Sequence, residues 1–258
     1  MSDKFMADIY KCMVFACVRL NKTCYDMRIL SPKICASAVP GQFVHVRCGD
    51  KLLRRPISIC DADGDTFRIV FEVRGEGTRW LSERKMGDVL DVLGPLGRGF
   101  DVSGERILVA GGGIGVPPLL FAAKRANEAH AVLGFRTASA VILPGDFNEC
   151  CAAVQITTDD GSIGRPGYAD AAVRSKLGAI SFDRVLACGP KPMLRAVARV
   201  CAEAGVPLQV SLEERMACGV GACLGCACKL EGPEGSWHYG HVCSDGPVFN
   251  AEEVVWDD

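Results

Sequence analysis

A chain of 258 residues is long enough for two modest domains with cores of their own. With 49% apolar and 23% charged residues, it is not a disordered chain. Its 29 Lys and Arg against 31 Asp and Glu leave a net charge of -2, so no nucleic-acid partner is expected.

In chain order, the first hundred residues read as short strands rich in β-branched and aromatic residues, at 9–18, 42–47, 55–60, 67–73 and 89–92. Turns at Pro40-Gly41 and Asp63-Gly64 punctuate them, and one short helix is expected at 78–85. Even spacing of this kind indicates an antiparallel barrel or sandwich, and Gly94, Pro95, Gly97 and Gly99 mark its end. From Arg106 the pattern changes. Apolar runs at 107–110, 131–135, 154–158 and 184–188 are interleaved with helical stretches at 119–128, 169–176 and 192–204, and 206–212 reads as the last strand. Strand alternating with helix indicates a parallel α/β sheet. The expected class is therefore multi-domain β plus α/β. Its divisions are 1–101, 102–212 and a small, weakly periodic 213–258.

The 15 cysteines are the abnormal count. The start of the chain mixes Lys4, Asp8, Lys11 and Arg19 into its apolar residues, so it is not a signal peptide, and the thiols are expected reduced in the cytoplasm. The longest uncharged run, 107–123, contains glycines and two prolines and falls short of the roughly 20 apolar residues that span a bilayer, so no membrane partner is expected. Five cysteines fall after residue 212, and Cys218-x4-Cys223-x2-Cys226 with a distant Cys243 is the spacing of a plant-type [2Fe-2S] site. The small or flexible residues Gly219, Val220, Gly221, Ala222, Leu224 and Gly225 let the backbone wrap closely and aim its N–H groups at sulfur. Structural zinc prefers pairs two to four apart on opposed knuckles, a poorer match. Cys228 is poorly placed for the same cluster.

Two glycine turns could meet a dinucleotide. Gly111-Gly112-Gly113-Ile114-Gly115 follows a strand and opens a helix, where backbone N–H groups and the helix dipole favour an anion. The string departs from G-x-G-x-x-G in having Pro118 at the third glycine position; a bland tight turn would look the same. Cys188-Gly189-Pro190 ends a later strand and would face the same crevice at the carboxyl edge of a parallel sheet. In the front domain, Arg55-Pro56-Ile57-Ser58 offers a forked donor set, with Ser58 expected on the face of Arg55. Gly75-Glu76-Gly77-Thr78 caps the short helix. Arg136, after the second α/β strand, is placed either for a ribose 2′-phosphate or for solvent.

Together these residues, from 9 to 249, resemble the ferredoxin-reductase superfamily and, within it, the electron-transfer subunits of type B dihydroorotate dehydrogenase. The most specific stretch is 211–226, with 242–249 close behind. The resemblance implies an FAD barrel, an NAD domain and a [2Fe-2S] domain. It implies flavin contacts at Arg55, Pro56, Ile57 and Ser58, at Val70, Phe71 and Glu72, and at Gly77 and Thr78. Dinucleotide contacts are expected at Gly112, Gly113, Gly115, Cys188, Gly189 and Pro190, and the resemblance implies cluster ligands Cys218, Cys223, Cys226 and Cys243. It also implies a partner, an FMN-containing catalytic subunit that oxidises dihydroorotate in pyrimidine biosynthesis, in a heterotetramer. The chain departs from the family in having Phe71-Glu72 where an aromatic-Arg pair is usual, with Arg74 two residues later, and in having Leu224 for an aromatic.

The chemistry is self-consistent. Nicotinamide exchanges electrons in pairs and a [2Fe-2S] cluster takes one, so both on one chain call for a flavin between them. None of His45, His130, His238 and His241 stands beside a recognisable nucleophile, and no catalytic residue for an organic substrate suggests itself. The first reading is thus an electron-transfer subunit. A second is an NAD(P)H reductase subunit serving ferredoxin, a sulfur compound or an oxygenase, and a third is a zinc-stabilised binding module. Trp237, Tyr239, Val248, Phe249 and Trp256 supply candidate apolar contacts for a partner.

Overall fold

In the computed structural model, which describes residues 8–256, the front of the chain closes into a six-stranded antiparallel barrel. Residues 1–7 and 257–258, the outer ends of the expected first and third divisions, lie outside the described residues. The barrel comprises β1 (Asp8–Arg19), β2 (Cys24–Leu30), β3 (Phe43–Arg47), β4 (Arg55–Asp63), β5 (Thr66–Glu72) and β6 (Val89–Leu96), in the order β1-β2-β5-β4-β3-β6. Two short helices, α1 (Pro32–Ser37) and α2 (Glu76–Ser82), lie in its connections. Period-two alternation explains the interior: Phe67, Ile69 and Phe71 of β5 pack inside with Val44, Val46, Ile57 and Ile59. Val70, of opposite parity, is buried outside the barrel against the next domain.

Strand β2 has no clear signal in the sequence, because Asp26 and Arg28 break its apolar pattern. Asp26 is there for an ion pair: it accepts two bonds from Arg68 of β5, at 2.9 and 2.7 Å. The last barrel strand runs past the expected 89–92, through Gly94 and Pro95 to Leu96, and so ends within the glycine-proline stretch.

The second unit has β7 (Arg106–Gly112), α3 (Pro117–Arg125), β8 (Glu128–Phe135), α4 (Pro144–Cys150), β9 (Ala153–Thr158), β10 (Arg165–Pro166), α5 (Ala169–Ala179), β11 (Arg184–Cys188), α6 (Lys191–Ala204) and β12 (Leu208–Ser211). The neighbours β10-β9-β8-β7-β11-β12 are all parallel. Helices α5 and α6 contribute to one apolar core, α3 and α4 to a second on the other side of the sheet. Phe121 of α3 reaches past that layer into the barrel core. Arg68 also pairs with Asp146 of α4, and Lys124 of α3 with Asp61 of β4, so ion pairs reinforce the junction.

The third unit contributes a hairpin, β13 (Ala227–Glu231) with β14 (Trp237–His241), and then β15 (Val248–Asn250). Strand β15 pairs antiparallel with β12, so 206–212 does not end the sheet; the tail of the chain returns to cover that edge. Among the described residues, no helix is long and apolar enough to cross a membrane.

Candidate functional site

The outer face of β3, β4 and β5 organises the site. Phe43 lies opposite Ser58, and His45 opposite Pro56, while Val44 and Ile57 between them point into the barrel. Ser58 therefore shares its face with Pro56, and the expectation that it sits on the face of Arg55 is corrected: three positions apart on a strand means opposite sides. Along β5, Val70 and Glu72 lie outside, whereas Phe71 is buried inside and stacks on Tyr25 with 6.0 Å between ring centroids.

Arg55, at the start of β4, reaches the first turn of α2. A β-carbon on Gly77 would lie 2.7 Å from Arg55 Nε and 3.1 Å from Nη2, so only glycine lets the guanidinium lie against this backbone. A fork of cationic donors beside helix N–H groups suits a phosphate of a flavin dinucleotide. The Thr78 hydroxyl is already used. It accepts from the N–H groups of Arg74 at 2.9 Å and Gly75 at 3.2 Å and donates to the Gly75 carbonyl at 3.1 Å, so it holds the turn in shape. Arg74 is tied to Glu72 at 2.7 Å and to Glu213 at 3.7 Å, which links the barrel to the start of the third unit.

Gly112 ends β7, and a tight turn at Gly113–Gly115 leads into α3 with Pro117 and Pro118 in its first turn, where no helical donor is lost. The two glycine sequences meet. A β-carbon on Gly115 would lie 2.5 Å from the Cys188 carbonyl oxygen and 2.6 Å from the Gly189 nitrogen, and one on Gly112 would lie 3.0 Å from Pro190 Cδ. Parallel β7 and β11 place Gly111 beside Cys188 at the carboxyl edge, as the sequence indicates. Burial pushes the Cys188 thiol up to about 12, so it is neutral. Gly113 and Ile114 then line a cleft of about 250 Å³ with Thr23, Cys24 and Glu72 of the barrel and with Ser139, Ala140 and Ile142. One cleft thus joins a candidate flavin residue to a candidate dinucleotide residue. Arg136 is exposed at the end of β8.

Four of the five cysteines after residue 212 form two pairs, Cys218 with Cys223 and Cys226 with Cys243. Cys226 and Cys243 are buried, with their sulfurs 3.2 Å apart. Cys218 receives the N–H groups of Val220 at 3.5 Å, Ala222 at 3.3 Å and Cys223 at 3.4 Å, while Gly221 N–H points at Cys243 sulfur from 3.2 Å. Burial raises the Cys218 thiol, but these backbone donors and the Cys223 side chain outweigh it and bring it down to about 6. Cys243 moves the other way, pushed up to about 12 by burial and by the Cys226 thiol. Among the described residues, no three His, Cys, Asp or Glu side chains converge on a single ion point. Two thiol pairs on a loop lined with N–H donors fit a dinuclear iron–sulfur cluster better than one tetrahedral zinc. Cys228 lies on β13 with a thiol that burial raises to about 11, and it joins neither pair.

His45, in sequence only one of four histidines without a nucleophile beside it, gains its role from the fold. It is fully buried on the outer face of β3, and a β-carbon on Gly219 would lie 2.6 Å from its Nδ1. The cluster loop therefore rests on the barrel at His45. Of the aromatic and apolar candidates for partner contact, Val248 and Phe249 are buried in the sheet and Trp256 Nε1 donates to the Ala251 carbonyl at 3.0 Å. Trp237 and Tyr239 are exposed on β14, edge to face at 5.1 Å, and Val220, Cys223 and Leu224 are exposed on the cluster loop.

Residues 213–255 match the family model of the iron–sulfur cluster binding domain of dihydroorotate dehydrogenase B. Over 221 residues the chain is 45% identical to a protein of Caldanaerobacter subterraneus subsp. tengcongensis named as the electron transfer subunit of dihydroorotate dehydrogenase B (NAD(+)), covering 84% of this chain and 87% of that one. A protein of the same name from Desulforamulus reducens is 40% identical over 98% of this chain and its own full length. Among solved structures, a chain of an NADH-dependent reduced ferredoxin-NADP oxidoreductase, described in terms of flavin-based electron bifurcation, superposes with a TM-score of 0.85 at 32% identity, covering 96% of this chain and 90% of that one. The ferredoxin reductase of carbazole 1,9a-dioxygenase shares the fold at a TM-score of 0.67 and 20% identity, over 80% of this chain and 70% of its own.

Proposed function

Because this chain belongs to the family of dihydroorotate dehydrogenase B electron transfer subunits, we propose that its residues carry electrons between a catalytic partner subunit and NAD+. The partner oxidises dihydroorotate on FMN, in pyrimidine biosynthesis, and two copies of each subunit assemble in the cytoplasm. Residues 1–101 hold FAD, 102–212 hold NAD and 213–258 hold the [2Fe-2S] cluster. When bound, the flavin supplies the exchange between paired electrons at the dinucleotide and single electrons at the cluster.

One observation supports this reading above the rest. A single outer barrel face, carrying Pro56, Ser58, Val70 and Glu72, meets the Gly113 turn across a cleft at Glu72 and carries the cysteine loop at His45. On this reading, Arg55 and the Gly77 backbone offset phosphate charge, and the Ser58 hydroxyl hydrogen-bonds the isoalloxazine edge. Gly112, Gly113 and Gly115 with Cys188-Gly189-Pro190 admit the nicotinamide dinucleotide close to backbone. Cys218, Cys223, Cys226 and Cys243 would hold the cluster through their thiolates. The exposed Cys223 edge, flanked by Val220 and Leu224, faces the partner, with Trp237 and Tyr239 on the neighbouring hairpin as apolar anchors.

Purification with the natural partner tests this. An FMN protein should copurify, and dihydroorotate should reduce NAD+ only when both chains are present. A ferredoxin or oxygenase component copurifying instead would favour the reductase reading, which the 32% identical oxidoreductase chain keeps open.

A further inference from the structure

His45 occupies a position where an aliphatic side chain would pack more cheaply. It stands in an apolar strand, FVHVR, is fully buried, and neither ring nitrogen has a hydrogen-bond partner. Buried polar groups are normally satisfied, so an orphaned imidazole needs a reason. Its surroundings supply one. The ring faces the backbone carbonyls of Cys218 and Arg54 without closing a full bond to either, and Gly219 leaves no room for a β-carbon between the cluster loop and Nδ1. Across the strand pair, His45 is the register partner of Pro56, two residues before Ser58 on the same face. Arg54 Nη1 donates to the His45 carbonyl at 3.3 Å and to the Asp91 carbonyl at 3.1 Å, so the backbone beneath the ring is pinned to β6. His45 therefore touches the cysteine loop from the barrel face that carries the candidate flavin residues.

Resting on the cluster assignment above, we propose that His45 is a positioning residue for the iron–sulfur centre: its ring seats the Cys218–Gly219 turn on the barrel and so sets where the Cys218 sulfur stands relative to the flavin face. An imidazole does what a phenyl ring cannot, because its N–H dipole faces the loop carbonyl and the negative charge that thiolates and sulfides bring. Groups that neighbour a cluster tune it through such contacts.

The test uses the full chain loaded with iron and flavin, comparing wild type with His45→Phe and His45→Gln. The readouts are the EPR spectrum of the reduced centre, its midpoint potential, and hydride exchange between NADH and thio-NAD+, which needs no cluster. His45→Phe should leave hydride exchange within about two-fold of wild type while changing the EPR spectrum and lowering the midpoint potential. His45→Gln, which keeps an amide at the site, should return both toward wild type. Iron lost from His45→Phe and retained by His45→Gln supports the same role. A His45→Phe protein with wild-type spectrum and potential, or a His45→Gln protein as altered as His45→Phe, overturns it. Wild-type protein without an EPR signal would instead refute the cluster assignment itself.

Discussion

Replacing Gly77 by Ala should separate flavin binding from folding in one step. The new methyl would sit 2.7 Å from Arg55 Nε and 3.1 Å from Nη2, about an ångström inside ordinary contact, so the guanidinium must swing off the α2 backbone. The backbone itself tolerates the change, because Gly77 lies in a helix and is not among the glycines of positive φ. The apo protein should therefore gain up to about 1 kcal/mol from the better helix former. If Arg55 holds the flavin phosphate as proposed, the displaced guanidinium loses charge-assisted bonds worth about 1.5–3 kcal/mol, which weakens FAD binding about 10- to 150-fold. Thermal unfolding of the apo chain and fluorescence titration with FAD measure the two effects. Unchanged FAD affinity, or a less stable apo protein, would refute the placement of Arg55 against Gly77.

Gly115→Ala is a harsher change, because its methyl meets the Cys188 carbonyl at the end of β11 and the Gly189 amide just beyond it; it should cost about 1–3 kcal/mol in urea unfolding and raise the KM for NADH, and unaltered values would deny the close approach of the two turns. Cys228→Ser should keep iron and visible absorbance while Cys226→Ser loses both, and metal analysis decides. Arg68→Met would leave Asp26 and Asp146 facing each other at the domain junction and should destabilise by about 3 kcal/mol in urea, where a loss within experimental scatter would contradict the ion-pair account. Bonds from Arg106 and His130 hold the Glu128 carboxyl down to about 2, so its contribution is present above pH 4.5 and lost as pH falls toward 2; Arg106→Gln should flatten the acid limb of a stability profile over that window.

Much of this architecture is legible in the residues because local chemistry and tertiary role coincide. The bare apolar run at 107–110 is a strand covered on both faces, and Cys218-x4-Cys223-x2-Cys226 does fold into a loop whose N–H groups point at sulfur. Other features depend on partners distant in sequence. Strand β2 hides its pattern behind Asp26, whose reason is Arg68, and β15 is a three-residue strand recognisable only by the β12 edge it covers. The four-residue string Arg55 to Ser58 reads as one patch, yet pleating sends its ends to opposite sides of the sheet. His45 carries no motif at all. It matters because Gly219, 174 positions on, leaves space for its ring, and no window along the chain contains both.

The most direct test of the relay is anaerobic addition of NADH to the purified chain, followed by absorbance and low-temperature EPR. Bleaching of the flavin together with the signal of a reduced [2Fe-2S] centre is the expected outcome. Flavin that bleaches while the iron stays oxidised, or protein with zinc in place of iron, would contradict it.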